Sequence, residues 1–458
     1  MPQFRDLVIL LPGITGSVLA DRKGREVWSP SLGAVWQAIK SFGKSIEGLE
    51  LAGDEVDDGV TATRLVPDVT LVPGLVKIDG YTRISEQLCE RLGLTSGRNF
   101  RHFPYDWRRD NRVSAQRLQS QAMDWLAQWR AESGAGDAKL VLIGHSMGGL
   151  ISRWFVECLG GWKDTRALIT LGTPHRGSLN AVDFLVHGMK KGIGPLGLDL
   201  SPLLRSYTSV YQLLPIYPCV DAGGPENLRI AQAAAGGLLP HVDVDRATAA
   251  RAFHQQIEDQ QAANAKMAEY AEHGPKLVPV VGIEQPTLQS ARIVGGRVEL
   301  LRSWHGTDTG GDGTVPRGSA TPLELDEAER EIYAAESHGA LQNVDGTLDN
   351  IAGVLTRASV DFKKMRSSAL GTALSLDVDD VVLPGEALLV RARPLERNPK
   401  ISVVLAPLGG GQSIEDQLDR GTGGWQEASF GLDPGLWRVT VSAEGASPVN
   451  DLVVVAEG

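Results

Sequence analysis

Residues 140–149 read LVLIGHSMGG: four apolar residues, Leu140 to Ile143, run into Gly144, His145, Ser146, Met147, Gly148 and Gly149. The spacing G-x-S-x-G after an apolar run predicts a buried parallel strand that turns sharply into a helix, with the serine hydroxyl at the apex. Gly144 and Gly148 flank a strained position, where a side chain would collide with the neighbouring strand or helix. The same pattern also occurs in ordinary strand-to-helix turns. Here the helical spacing of Leu150, Ile151, Trp154, Phe155 and Leu159 downstream favours a nucleophile elbow, with Ser146 as the candidate nucleophile.

Working outward, Leu7 to Leu11 is a continuous apolar run, as expected of a strand covered on both faces. It ends in Pro12-Gly13-Ile14-Thr15-Gly16, a loop whose glycines let backbone amides approach a ligand. Paired with the elbow, this loop is where an oxyanion-hole amide belongs, and the backbone of Ile14 is the candidate beside that of Met147. Residues 31–49 place Leu32, Val35, Trp36, Ile39, Phe42, Ile46 and Leu49 at three- and four-residue spacing, an amphipathic helix. Such stripes are usually plain core. Its place in an insertion after the first strand, with Trp28 and Trp36 nearby, also suits a lid.

Helical periodicity over 82–94, 114–133 and 149–160 alternates with strands expected at 99–107, 140–143, 167–171, 277–282 and 298–304. That alternation indicates a mainly parallel sheet wrapped by helices, with the serine at its carboxyl edge. The alternation fails over about 178–275, rich in Gly, Pro and Ala, which reads as a cap over the serine. Residues 339–355 form a final helical segment. Beyond about 366, six short alternating segments separated by glycine and proline turns predict a β-sandwich over 367–458, read as an accessory domain without a titratable constellation.

A serine hydroxyl needs a base, normally a histidine oriented by a carboxylate, and in this fold class the chain order is serine, acid, histidine. Order sorts the nine histidines. His102, His145 and His175 come too early, with the ring of His145 expected to point away from the serine. His187, His241, His254 and His273 lie in the cap. His338 follows a suitable acid, while His305 does not. For the acid, Asp308 and Asp312 compete; Asp312, within Gly311-Asp312-Gly313-Thr314-Val315-Pro316, is favoured and Asp308 reads as a solvated turn residue. This chemistry requires no metal or organic cofactor.

The chain has 458 residues and a net charge of -11, which argues against nucleic acid or an anionic bilayer as the main electrostatic partner. Local hydrophobic contact with a lipid surface stays open. Cys89, Cys158 and Cys219 are too few and too scattered for a disulfide framework, and Cys89 and Cys158 read as buried apolar residues. The chain shows neither an export signal nor an apolar run long enough to span a bilayer, so a cytoplasmic protein is expected.

With these residues placed, the chain resembles the lecithin:cholesterol acyltransferase-like family of α/β-hydrolases, which includes lysosomal phospholipase A2. The resemblance rests on Leu11-Pro12-Gly13 with Thr15-Gly16-Ser17, on Pro104-Tyr105-Asp106-Trp107-Arg108, on GHSMGG, on Thr173-Pro174, on GDGTVP and on Ser337-His338. It covers residues 7–355 and implies an α/β-hydrolase domain over 1–366. It also implies triad positions for Ser146, Asp312 and His338, oxyanion positions for Ile14 and Met147, and acyl-ester substrates with lipids foremost. Arg108 is expected to pair with Asp106 above Trp107. Unlike animal members, the stretch after the first strand contains no cysteine. Three functions follow: a serine hydrolase or O-acyltransferase of lipid esters, an esterase of small non-lipid esters, or an inactive hydrolase-like scaffold whose β-sandwich binds a partner.

Overall fold

In a computed structural model of the chain, the described residues are 4–29, 49–67, 70–72, 76–191, 198–325, 331–356, 373–383, 385–395 and 399–456. The amphipathic helix expected over 31–49 lies outside them except for Leu49, and so does the domain boundary near 366.

Six strands form the central sheet: β1 (Leu7–Leu11), β2 (Phe100–His102), β3 (Leu140–His145), β4 (Thr165–Leu171), β5 (Lys276–Gly282) and β6 (Ile332–Ala334). Their order is β6-β5-β4-β3-β1-β2, and every pairing is parallel. Successive side chains of a strand point to opposite faces, so an apolar strand supplies two cores. Leu7, Ile9, Leu11, Leu140 and Leu142 join one hydrophobic cluster, while Val8, Leu10, Val141 and Ile143 join another. Helices α1 (Thr82–Leu92), α2 (Asn111–Ser133) and α3 (Met147–Cys158) follow β-strands in turn. Leu118, Leu126, Ile151 and Phe155 of α2 and α3 cover the first face. Ile84 and Leu88 of α1 cover the second, with Leu348 and Ile351 of α6 (Asp345–Thr356).

The chain leaves β1 toward β2 on one side and β3 toward β4 on the other, so the order reverses between β1 and β3. Loops at the carboxyl ends of these two strands therefore part and leave a crevice. The elbow stands there.

Two expectations are corrected. The segment expected as a sheet strand at 298–304 instead forms a strand, Arg297–Leu301, in a separate three-stranded sheet with Ser290–Val294 and Val220–Asp221. The sixth core strand is Ile332–Ala334, whose three residues are too few to show a period. Cys89 and Cys158 are only half-buried, whereas Cys219 is fully buried; all three are free thiols.

The insertion after β4 holds α4 (Leu179–Val186) and α5 (Val244–Asn264) among shorter helices. Its parts go to different places. Ser178, Ala181, Phe184, Val210 and Leu213 line the crevice, while α5 packs on α3, with Trp154 stacked on Phe253 at 5.2 Å. Among the described residues no helix is long and apolar enough to cross a membrane.

Beyond residue 372 a four-stranded and a five-stranded sheet share one apolar cluster around Val390, Val403, Val439 and Val453. The six predicted strands are present, the first divided into Leu374–Val378 and Val381–Val382, with two more at Ile414–Gln417 and Asp419–Arg420. Those two are polar and mostly exposed, so no alternation marks them.

Candidate active site

Ser146 sits between β3 and α3 with φ 51° and ψ -124°, a backbone conformation that costs energy for any residue with a Cβ. The surroundings hold it there: Ser146 N–H donates to Leu171 O at 2.8 Å, and Thr173 Oγ1 donates to Ser146 O at 2.9 Å. A Cβ on Gly144 would stand 2.6 Å from Gly149 Cα, and one on Gly148 would stand 2.5 Å from Pro12 O. Both glycines therefore serve close backbone approach, as the sequence suggests. The serine itself is 6% exposed.

Asp312 and His338 meet. His338 Nδ1 and Asp312 Oδ2 are 2.7 Å apart, and the His338 backbone N–H donates to Asp312 O at 2.8 Å. The other carboxylate oxygen accepts from the N–H groups of Thr314 at 2.9 Å and Val315 at 2.6 Å, so the GDGTVP loop fixes the carboxylate plane. Asp312 is buried, and Asp308 is an exposed turn residue whose Oδ1 accepts from Gly310 N–H at 2.9 Å. Ser146, Asp312 and His338 line one cavity of about 300 Å³. Among the described residues no hydrogen bond joins Ser146 to His338, a contact that commonly tightens only when substrate is bound.

His145 does more than its sequence position suggests. Its ring is buried and lies 5.1 Å from that of His338, with Nε2 3.0 Å from the His338 carbonyl oxygen. A carbonyl only accepts, so Nε2 carries the proton. Burial, reinforced by the neighbouring His338, pushes the His145 pKa down to about 3, so the ring is neutral and Nδ1 is an acceptor. Tyr81 Oη, 2.8 Å from Nδ1, is therefore the donor in that bond, and it accepts in turn from Gly13 N–H at 2.8 Å. One chain of hydrogen bonds thus links the loop after β1 to the backbone of His338. Nothing local in the sequence marks Tyr81 as a partner of His145.

Ile14 follows Gly13 in a turn closed by Gly16 N–H to Gly13 O at 3.1 Å, with Thr15 at φ 61°. Met147 opens α3, so its N–H belongs to the first turn, which has no intrahelical acceptor. Three buried aromatic side chains grip carbonyls on either side of Ile14. Tyr105 Oη donates to Pro12 O at 2.7 Å, Trp28 Nε1 to Thr15 O at 3.2 Å and Trp107 Nε1 to Ser17 O at 3.1 Å. The Pro104–Arg108 motif is thus the scaffold of the candidate oxyanion loop. Arg108 pairs with Asp106 through two bonds, at 2.9 and 2.8 Å, as expected, and also with Asp58 at 2.8 Å. Trp107 packs on Trp28 and Tyr207.

The C-terminal domain reaches the site. Leu376, Asp377 and Val378 line the cavity that holds Ser146. Gln285 Nε2 donates to Leu374 O at 3.1 Å while Gln285 N–H donates to Gly311 O at 2.9 Å, beside Asp312. Ser337 Oγ donates to Asn450 O at 2.8 Å. Both loops that carry Asp312 and His338 are braced by this domain.

Residues 72–263 match the family model described as Lecithin:cholesterol acyltransferase, a span that includes Ser146 and the Pro104–Arg108 motif and ends before Asp312. No curated protein matches the chain significantly. Among solved structures, the lipase BlEst2 of Bacillus licheniformis in its propeptide form is 12% identical with a TM-score of 0.40, over 99% of this chain and 94% of that one. The mature form of that lipase is also 12% identical, with a TM-score of 0.36 over 78% of this chain and 94% of its own. The phospholipase PlaB from Legionella pneumophila is 12% identical with a TM-score of 0.35, over 98% of this chain and 90% of that one. Over residues 72–263, which include the elbow strand and helix of the parallel-sheet core, the chain is similar to the lecithin:cholesterol acyltransferase family.

Proposed function

We propose that the protein is a serine-dependent hydrolase or O-acyltransferase of lipid esters, working through an acyl-enzyme on Ser146. The observation that carries this reading is the 2.7 Å contact of Asp312 with His338 in the same cavity as a serine on a strained elbow. His338 Nδ1–H donates to Asp312, which leaves Nε2 to take the proton of Ser146 Oγ. The oxygen then attacks the ester carbonyl, and the N–H groups of Ile14 and Met147 stabilise the oxyanion. His338 returns the proton to the departing alcohol, and water or a second alcohol releases the acyl group. The family match supports a lipid acyl donor, and Phe184, Val210, Leu213 and Leu376 give the cavity an apolar wall.

A second reading, an esterase of small non-lipid esters, draws on the modest 300 Å³ of that cavity. Fluorophosphonate labelling tests the chemistry: native chain labels and Ser146→Ala does not. Labelling that survives Ser146→Ala would remove the enzyme reading. A chain-length series of esters, with and without bilayers, separates the two substrates. If short soluble esters turn over fastest and lipid adds nothing, the lipid assignment fails.

A further inference from the structure

A second cavity, of about 400 Å³, adjoins the first. The 309–319 segment lines both, with Gly313, Thr314 and Val315 on the Ser146 side and Thr309, Pro316 and Ser319 on the other. Its charged lining is three arginines, Arg176, Arg229 and Arg251, against one carboxylate, Glu258.

Arg229 and Arg251 converge. Each donates to the same acceptor, the carbonyl oxygen of Ile216, Arg251 at 3.1 Å. Two like charges brought to one oxygen repel each other, and among the described residues neither makes an ion pair with a carboxylate. Burial and the proximity of Arg251 lower the pKa of Arg229, the sign of a cation short of negative charge. Glu258 attracts these cations without pairing with either, and burial together with the nearby Glu324 raises its own pKa. A guanidinium has five N–H donors, and the Ile216 carbonyl is the one protein acceptor either group finds among the described residues. The remainder of the wall mixes polar side chains, among them His254, Gln289 and Thr309, with an apolar, partly open side. Trp304, 38% exposed, lies edge-on to Tyr217 at 5.8 Å, and Leu323 is 57% exposed.

We propose that this second cavity binds a phosphate group between Arg229 and Arg251, with the organic part of the ligand against Trp304 and Leu323. A tetrahedral phosphate offers oxygens in more than one plane and so takes hydrogen bonds from two separate guanidinium forks, whereas a planar carboxylate is satisfied by one. The site is distinct from the triad and does not depend on the acyl-transfer reading. Its phosphate comes either from a soluble phosphomonoester or from a lipid headgroup.

The experiment uses the full chain carrying Ser146→Ala, so that nothing is turned over. Calorimetric titration with inorganic phosphate, glycerol 3-phosphate and acetate at matched ionic strength is run beside cosedimentation with phosphatidylcholine vesicles with and without phosphatidic acid. Binding of glycerol 3-phosphate identifies a soluble source, and binding of vesicles alone identifies a headgroup. In either arm Arg229→Gln with Arg251→Gln weakens binding about tenfold or more, and Glu258→Gln, which removes the competing carboxylate, tightens it. In the wild-type background the double variant hydrolyses a short soluble ester at the native rate. The proposal is overturned if no phosphate arm binds, if acetate binds as well as phosphate, or if the folded double variant binds like the parent. Should the double variant not fold, Glu258→Gln decides alone, and unchanged or weaker phosphate binding then sinks the site.

Discussion

Glu336 accepts a hydrogen bond from the backbone N–H of Asn450 at 3.1 Å, so the residue two before His338 is tied to the last strand of the C-terminal domain. The same carboxylate oxygen accepts from Ser337 N–H at 2.9 Å, and Asn450 Nδ2 donates to the other oxygen at 3.3 Å. The clasp is 2% exposed. Taking a carboxylate out of water disfavours its charge, and that loss outweighs the three donors.

The consequence is a pH dependence of stability. Burial, with a smaller push from Asp451, raises the Glu336 pKa from 4.5 to about 7. The folded chain therefore holds a proton that the unfolded chain has lost between those values. The stabilisation is complete below pH 4.5, falls as pH rises to about 7 and is flat above. The shift sets an upper bound of roughly 3 kcal/mol. Urea unfolding at mildly acidic and at alkaline pH should show a drop in the native chain that Glu336→Gln largely removes. Parallel curves for the two proteins would contradict the assignment.

The two competing acids separate by mutation. In Asp312→Asn, the amide oxygen stays on the N–H groups of Thr314 and Val315, which turns the NH₂ toward His338 Nδ1. Nδ1 must then accept, the ring proton moves to Nε2, and the base can no longer take the serine proton. Ester turnover should fall by roughly 10⁴-fold with the fold intact. Asp308→Asn keeps the turn acceptor and should stay close to the native rate. A rate-limiting loss at Asp308 instead would reassign the acid.

Tyr81→Phe removes one hydroxyl and strands two groups, Gly13 N–H and His145 Nδ1. Each buried unsatisfied group costs about 1–3 kcal/mol. Because the chain of bonds runs from the loop of Ile14 to the backbone of His338, turnover should also fall, by about tenfold, through kcat rather than KM. An unchanged kcat in a destabilised variant would limit the network to a structural role.

What was legible in the chain follows from the length of each signal. Leu7–Leu11 and Leu140–Ile143 are continuous apolar runs, and Ser146, Asp312 and His338 follow one another in the order expected of the candidate triad. Ile332–Ala334 is a strand only because Val280, Val281 and Gly282 lie beside it, so pairing rather than propensity defines it. The contact of His145 with Tyr81 spans 64 positions and has no local trace. A clue to the motif at 104–108 was available: a buried Tyr or Trp seeks a polar partner, and Tyr105 and Trp107 find theirs in the loop after β1. The brace from the C-terminal domain had none, because it acts largely through backbone groups of Leu374 and Asn450.

The tightest approach to backbone at the elbow gives the last test. An added Cβ on Gly148 would lie 2.5 Å from Pro12 O and 2.9 Å from Leu11 O, both backbone atoms that no side-chain rotation can clear. Either the start of α3 or the loop after β1 must move, and these are the two segments that carry the N–H groups of Met147 and Ile14. Gly148→Ala should therefore cost about 1–3 kcal/mol of stability from overpacking. Its effect on rate should be larger, about 10²-fold or more, because both proposed oxyanion donors depend on the same contact. Gly136→Ala, with nothing within 4 Å of the new carbon, should match the native chain in both respects. Measuring urea unfolding and ester turnover on the same preparations separates the two effects. Native turnover by a folded Gly148→Ala would mean that the oxyanion is held by other donors.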